Sequence, residues 1–301
     1  MTFSKKSKVL AIASGILLLS IVLDFFITKA IYDSVFPRYD GENCSTEYTH
    51  EGASGVEFKS GEETLSGLLY DSPGDSLIVI AGGINSCMAD VIPYAEAFFL
   101  QEKDVFIFDM TGVCQSSGES SVGFSRAAYD LDCALDFISE SYEYDKIFLL
   151  GYSRGGYSVC CQLSERTDIT AIAAVSSPNS AMEATVFPVY EKIGFLAYGN
   201  YPMLWLYQSM LFDCSTVSAS TADIIEKSSV PTLVIQGRDD STVPADECSL
   251  FSHRDSVSRA DAEFLLLSGD HTSVWYGDDN EGINEELFLI LLEFFENNGG
   301  E

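Results

Sequence analysis

The longest apolar run lies at the amino end. Residues 9–27 are apolar except for Ser14, Gly15, Ser20 and Asp24. As a helix this run would be about 28 Å long, close to the ~30 Å hydrocarbon core of a bilayer. Nothing polar recurs on it at helical period, which argues against a buried helix of a soluble domain. Beyond it, short apolar runs alternate with amphipathic ones. Residues 56–59 and 64–70 predict a hairpin around Gly61, Glu62 and Glu63. The runs 76–81, 105–108, 146–150, 169–175, 231–236 and 263–267 predict strands, and 89–102, 125–142, 154–165 and 284–297 predict helices. In the second helix Ala128, Leu131, Leu135 and Ile138 share one face, with Ser125 suited to cap it. Apolar strands separated by helices predict an α/β fold, a mostly parallel doubly wound sheet covered on both faces.

One stretch breaks the alternation. Residues 178–229 are too long for an ordinary connection between strands. They carry Phe187, Tyr190, Phe195, Tyr198, Tyr201, Trp205, Tyr207 and Phe212. This reads as an inserted helical cap, with some rings facing a substrate and others forming the cap's own core. The expected organisation is a Lys-rich tip and membrane segment over 1–30, a linker over 31–54, and one domain over 55–298 with 178–229 as its cap.

Charge sharpens the division. The chain of 301 residues has a formal net charge of −30. Its first 30 residues hold four lysines and one acid, leaving 12 basic and 45 acidic side chains for the rest. So acidic a domain repels nucleic-acid phosphates, which excludes nucleic acid as a partner. Lys5, Lys6 and Lys8 before the apolar run put the amino end in the cytoplasm and the domain outside. The competing reading is a signal peptide cleaved after Ala30, which would leave a secreted protein. Eight cysteines form no C-x-x-C and no zinc-like spacing with histidine. Cys133, Cys160 and Cys161 fall in predicted helices, and spacing alone assigns no disulfide.

The chemistry concentrates at Gly151-Tyr152-Ser153-Arg154-Gly155-Gly156, directly after one strand and opening a helix. Small residues flanking a serine there allow a sharp turn that projects its hydroxyl from the sheet's carboxyl edge. Such a hydroxyl needs a base, and the chain has three histidines. His50 precedes the sheet and His253 sits in a predicted surface helix. His271 follows the last strand, at the edge where ligand loops gather. The acid that orients it is Asp240, in the turn after 231–236, in preference to Asp239 or Asp270.

The order Ser153, Asp240, His271 resembles the α/β-hydrolases of the serine esterase, lipase and aminopeptidase type, over about residues 55–298. With Phe36-Pro37-Arg38-Tyr39-Asp40 after the apolar segment, it also resembles a membrane-anchored or exported subset in Gram-positive bacteria. The resemblance implies oxyanion donors at the backbone amides of Gly83 and Arg154. Ala81 stands where that family often has histidine, and a plain tight turn is the other reading of Gly82-Gly83. The loop after 105–108 resembles the family's Asp-x-Arg-Gly segment, with Thr111 and Cys114 in place of Arg and Gly. The Arg154 side chain is expected to pair with one of the many acids, or else to bind an acidic part of the substrate. The implied activity is hydrolysis of a carboxylic ester, with a small-molecule acyl compound as substrate and no metal or cofactor. The alternatives are a peptidase acting on short peptides and a catalytically silent binding domain.

Overall fold

The computed structural model describes residues 5–41, 44, 52–72, 74–212, 214–277 and 282–300. Helix α1 (Lys5–Val35) opens it. Within α1, Ala11–Val35 is long and apolar enough to cross a membrane, by length and composition. Strands β1 (Ala53–Ser60) and β2 (Glu63–Tyr70) form a hairpin in register from Ser60↔Glu63 to Ala53↔Tyr70. Gly61 turns it with φ of +59°, a conformation that costs glycine little.

From there strands and helices alternate: β3 (Ser76–Ala81), α2 (Met88–Phe99), β4 (Asp104–Phe108), α3 (Phe124–Ser141), β5 (Lys146–Tyr152), α4 (Arg154–Gln162) and β6 (Ala171–Val175). Between β6 and the next strand lie α5 (Ala181–Ile193), a 3-10 segment (Gly194–Asn200), α6 (Tyr201–Leu211), α7 (Cys214–Val217) and α8 (Thr221–Lys227). Strands β7 (Thr232–Gly237) and β8 (Ala262–Leu267) complete the sheet, followed by α9 (Ser273–Tyr276) and α10 (Glu285–Gly299).

The eight strands lie in the order β1-β2-β4-β3-β5-β6-β7-β8. Pairing is antiparallel for β1–β2 and β2–β4 and parallel from β4 to β8. Period-two alternation along β3 explains the layers. Leu77, Val79 and Ala81 join one core with Leu131 and Leu135 of α3 and Val159 of α4. Ile78 and Ile80 join the opposite core with Val91 and Phe98 of α2 and Leu291 of α10. Each of these side chains larger than alanine contributes about 1.5–3 kcal/mol by leaving water.

Several expected boundaries move. Gly123, not Ser125, occupies the N-cap position of α3, and Ser125 lies inside the helix, buried. The helix expected over 89–102 stops at Phe99, and Glu102 takes φ of +58°. The strand expected from 169 starts at Ala171, because Thr170 already bonds Ile147 of β5 as the connection enters the sheet.

A third apolar cluster joins the amino-terminal helix to the body. Tyr32 and Phe36 are buried with Phe124, Tyr157 and Tyr207. Just beyond, Arg38 donates to the carbonyls of Ser116 and Gly118, both at 2.9 Å. A disulfide, Cys44–Cys114, ties the same stretch to the loop after β4.

Candidate active site

The turn from β5 into α4 is sharp because the chain is bare of side chains there. A Cβ on Gly155 would sit 1.9 Å from the Ala81 carbonyl oxygen, and one on Gly151 would sit 2.2 Å from that of Gly155. Only glycine permits this approach. Between them Ser153 adopts φ of +54° and ψ of −113°, a conformation that costs a non-glycine residue about 1–3 kcal/mol. Its amide is anchored to the Val175 carbonyl at 2.8 Å.

His271, in the loop between β8 and α9, reaches this turn. Its Nε2 is 3.0 Å from Ser153 Oγ, and its Nδ1 is 2.7 Å from Asp240 Oδ2. Asp240 follows β7 and is buried, with both oxygens engaged. Oδ1 accepts from the Thr242 and Val243 amides at 2.9 and 2.8 Å. Oδ2 also accepts from Gln236 Nε2 at 2.9 Å. The carboxylate is thus locked in the direction that serves the imidazole.

The rival residues stand elsewhere. Asp239 is exposed, its amide bonded to the Gly269 carbonyl. Asp270 accepts from the Ser273 and Thr272 amides, and such local bonds hold its carboxyl below the usual carboxylate range. His253 lies in a 3-10 turn (Leu250–Ser256) and bonds Ser252 Oγ at 2.9 Å. His50 is outside the described residues.

Sequence reasoning missed three supporting groups. Tyr152 donates its hydroxyl to the His271 carbonyl at 2.8 Å and stacks on Trp275 at 4.9 Å. Trp275 is itself held by Tyr94, whose hydroxyl donates to its carbonyl at 2.7 Å. Gln236 also bridges Asp240 to the Val243 carbonyl. Position 152, next to the serine, was the one available signal.

Gly83 lies against the serine, since a Cβ there would be 3.4 Å from Ser153 Cβ. Among the described residues its N–H makes no hydrogen bond. Arg154 opens α4, where first-turn amides lack intrahelical acceptors. The expected ion pair of the Arg154 side chain is absent among the described residues. The guanidinium is wholly buried, donates through Nη2 to the Gly83 carbonyl at 3.3 Å, and leaves Nε and Nη1 without an acceptor. Arg126 takes the nearby acid instead, bonding Asp130 at 2.8 Å. Burial holds the Arg154 guanidinium down to about 10, against an opposing pull from Asp130.

Among the described residues, Cys44, Cys87 and Cys114 form the one group of possible metal ligands, their sulfurs within 4.8 Å of one another. Two of these are joined as the disulfide and so are not thiolate ligands. The loop after β4 is built around Asp109, which accepts from the Met88 and Gln115 amides at 2.7 and 3.1 Å. A groove of about 910 Å³, lined by Arg126, Cys161, Gln162, Phe212 and Asp223 among others, contains none of Ser153, Asp240 and His271.

Comparison with known proteins bears on the fold. A family model described as serine aminopeptidase, S33, matches residues 72–217. An esterase of Pyrococcus furiosus has the same fold, with a TM-score of 0.66 at 19% identity, covering 87% of this chain and 98% of its own. The chain has the α/β-hydrolase fold. That fold is also similar to that of an acylaminoacyl peptidase of Pyrococcus horikoshii, at TM-score 0.57 and 16% identity, over 82% of this chain and 41% of that one. A membrane phospholipase A described as a bacterial virulence factor aligns over 98% of this chain and 97% of its own, at TM-score 0.58 and 13% identity. No curated protein matches the chain. The matched family region ends before Asp240 and His271, and it is the geometry that brings these two to Ser153.

Proposed function

We propose that this chain is a serine hydrolase that cleaves a carboxylic ester through Ser153, His271 and Asp240. The observation that carries the reading is the single imidazole within hydrogen-bond reach of both hydroxyl and carboxylate, at 3.0 and 2.7 Å. Asp240 holds the tautomer with its proton on Nδ1, so Nε2 is free to take the serine proton. Ser153 Oγ attacks the carbonyl carbon, and the amides of Gly83 and Arg154 receive the developing oxyanion. His271 passes the proton to the departing alcohol oxygen. Water then attacks the acyl-enzyme through the same base, releasing the acid and restoring the serine.

Two further assignments belong to the reading. Helix α1 anchors the protein, and the domain, residues 55–298 with 178–229 as cap, lies outside the cytoplasm. The apolar stretch Ala11–Val35 and the lysines before it support the anchor. The Cys44–Cys114 disulfide supports an oxidising compartment. Cleavage after Ala30 would strip Phe25 and Thr28 from their contacts with Tyr207 and Asn200, which favours retention over secretion.

A peptidase with the same three residues is the second reading, favoured by the aminopeptidase family match. The test is labelling with a fluorophosphonate probe beside Ser153→Ala, with short p-nitrophenyl esters and aminoacyl nitroanilides as substrates. Labelling lost in Ser153→Ala and faster ester turnover are expected. An unlabelled wild-type protein overturns the enzymatic reading, and preferred cleavage of anilides selects the peptidase.

A further inference from the structure

Helix α1 and the insertion after β6 are built as one surface. Phe25, Thr28 and Tyr32 recur at three- and four-residue spacing, so they share one helix face. That face meets α6. Tyr207 packs edge-on against Phe25 and Tyr32 at 5.8 and 5.4 Å. Asn200 Nδ2 donates to Thr28 Oγ1 at 2.8 Å, and the Tyr207 hydroxyl donates to Asp33 at 2.8 Å. The depth of these contacts matters. About 20 helical residues cross the hydrocarbon core, so a span starting at Ala11 reaches about Ala30. Phe25 and Thr28 then lie inside its outer edge, and their partners, Tyr207 on α6 and Asn200 at the end of the 3-10 segment, lie at the same depth.

The insertion beside them is dressed for that depth. Between Glu183 and Asp213 the only charged side chains are Glu191 and Lys192, in a chain that is otherwise strongly acidic. Its outer surface exposes Ile193, Phe195, Leu196, Tyr198, Leu206 and Met210, with Phe195 at 79% and Met210 at 67%. Large exposed apolar side chains gathered on one short segment mark an interaction surface. With one acid balanced by one lysine, the stretch escapes the repulsion that the rest of the domain would feel at an anionic leaflet.

We propose that this edge of the insertion, the 3-10 segment with the outer stripe of α6, seats in the lipid bilayer beside α1, and that the site draws its ester substrate from membrane lipid. The proposal rests on the reading of α1 as an anchor and of Ser153 as nucleophile. A hydrolase held this way meets long-chain acyl esters already concentrated in two dimensions.

The full-length protein in phosphatidylcholine vesicles tests it by two independent readouts. In Phe195→Trp made in a Trp205→Phe parent, whose remaining Trp275 is buried, brominated phosphatidylcholine should quench emission well beyond that of the Trp205→Phe parent. In the double variant Phe195→Asp, Leu196→Asp, hydrolysis of vesicle phosphatidylcholine should fall about tenfold, as charge leaves the interface. Its turnover of soluble p-nitrophenyl butyrate should stay within about twofold of wild type, since neither residue is in the catalytic machinery. Equal quenching in parent and Phe195→Trp overturns the proposal, as does unchanged vesicle hydrolysis in the double variant. Loss of a dimer in that variant without lipid quenching would assign the patch to a second copy of the chain and overturn it likewise. Quenching needs no catalysis, so strong quenching in a protein that hydrolyses nothing would sink the enzymatic reading and leave the bilayer contact standing.

Discussion

Replacing Arg154 by Met removes a cation that the fold keeps wholly out of water. The guanidinium has one protein partner among the described residues, the Gly83 carbonyl, and two nitrogens with none. Burial holds it down to about 10, from an ordinary value above 12. A base depressed in the folded state costs stability at every pH below the folded value and is relieved only above it. At neutral pH the cost is therefore fully present, and a drop of this size corresponds to about 3 kcal/mol. Met is similar in length and apolar. It recovers most of that cost and forfeits one hydrogen bond worth about 1 kcal/mol. The expected net effect is a gain of about 2 kcal/mol in urea unfolding of the detergent-solubilised protein, with an unchanged dependence on urea. Activity should move the other way. The Gly83 peptide loses its tether beside the serine, and kcat/KM for p-nitrophenyl acetate should fall about tenfold, less than the loss of an oxyanion donor outright. A variant that is less stable than wild type by 1 kcal/mol or more would show the charge to be compensated and refute the argument. Unchanged kcat/KM would refute the positional half alone.

Two further outcomes follow from the same geometry. Asp240→Asn should lower kcat about 10⁴-fold in ester hydrolysis, because an amide nitrogen facing Nδ1 selects the tautomer that cannot accept the serine proton; a loss smaller than about tenfold would separate Asp240 from catalysis. Asp109 is pushed up to about 6 by burial, against the Met88 and Gln115 amides. A carboxyl raised in the folded state contributes most below about pH 4, and this is lost as pH rises through about 6, a change near 3 kcal/mol. The stability of wild type relative to Asp109→Asn should fall by that amount across this window, and a pH-independent difference would contradict it.

Local signals made the sheet legible. Apolar runs separated by amphipathic helices announce a parallel sheet, and the glycines around Ser153 announce a turn that only a strand and a helix can flank. The serine, the acid and the histidine were findable because each ends a strand at the same edge. What escaped the sequence is long-range. Nothing near Arg154 in the chain says that Asp130 already belongs to Arg126, so the expected pairing failed. Ser125 looked like a cap because capping is read from residue type, whereas Gly123, with φ of +102°, makes the turn into α3. Cys44 and Cys114 are 70 residues apart, and only the path of residues 36–41 across the loop after β4 brings them together. Gln236 and Tyr152 act through residues distant in sequence, and no local pattern marks such service.

The junction between helix and domain has a cost for anyone who wishes to divide them. Tyr32 and Phe36 are 3% and 1% exposed, and Arg38 stitches the next turn to the loop that carries Cys114. A chain trimmed to begin at Ile31 would keep these plugs and lose the turns of helix that hold them in place, uncovering one side of Tyr207. Separating the domain from this helix is thus a structural injury, and a soluble fragment that behaves well would have to start upstream, taking a greasy stub with it.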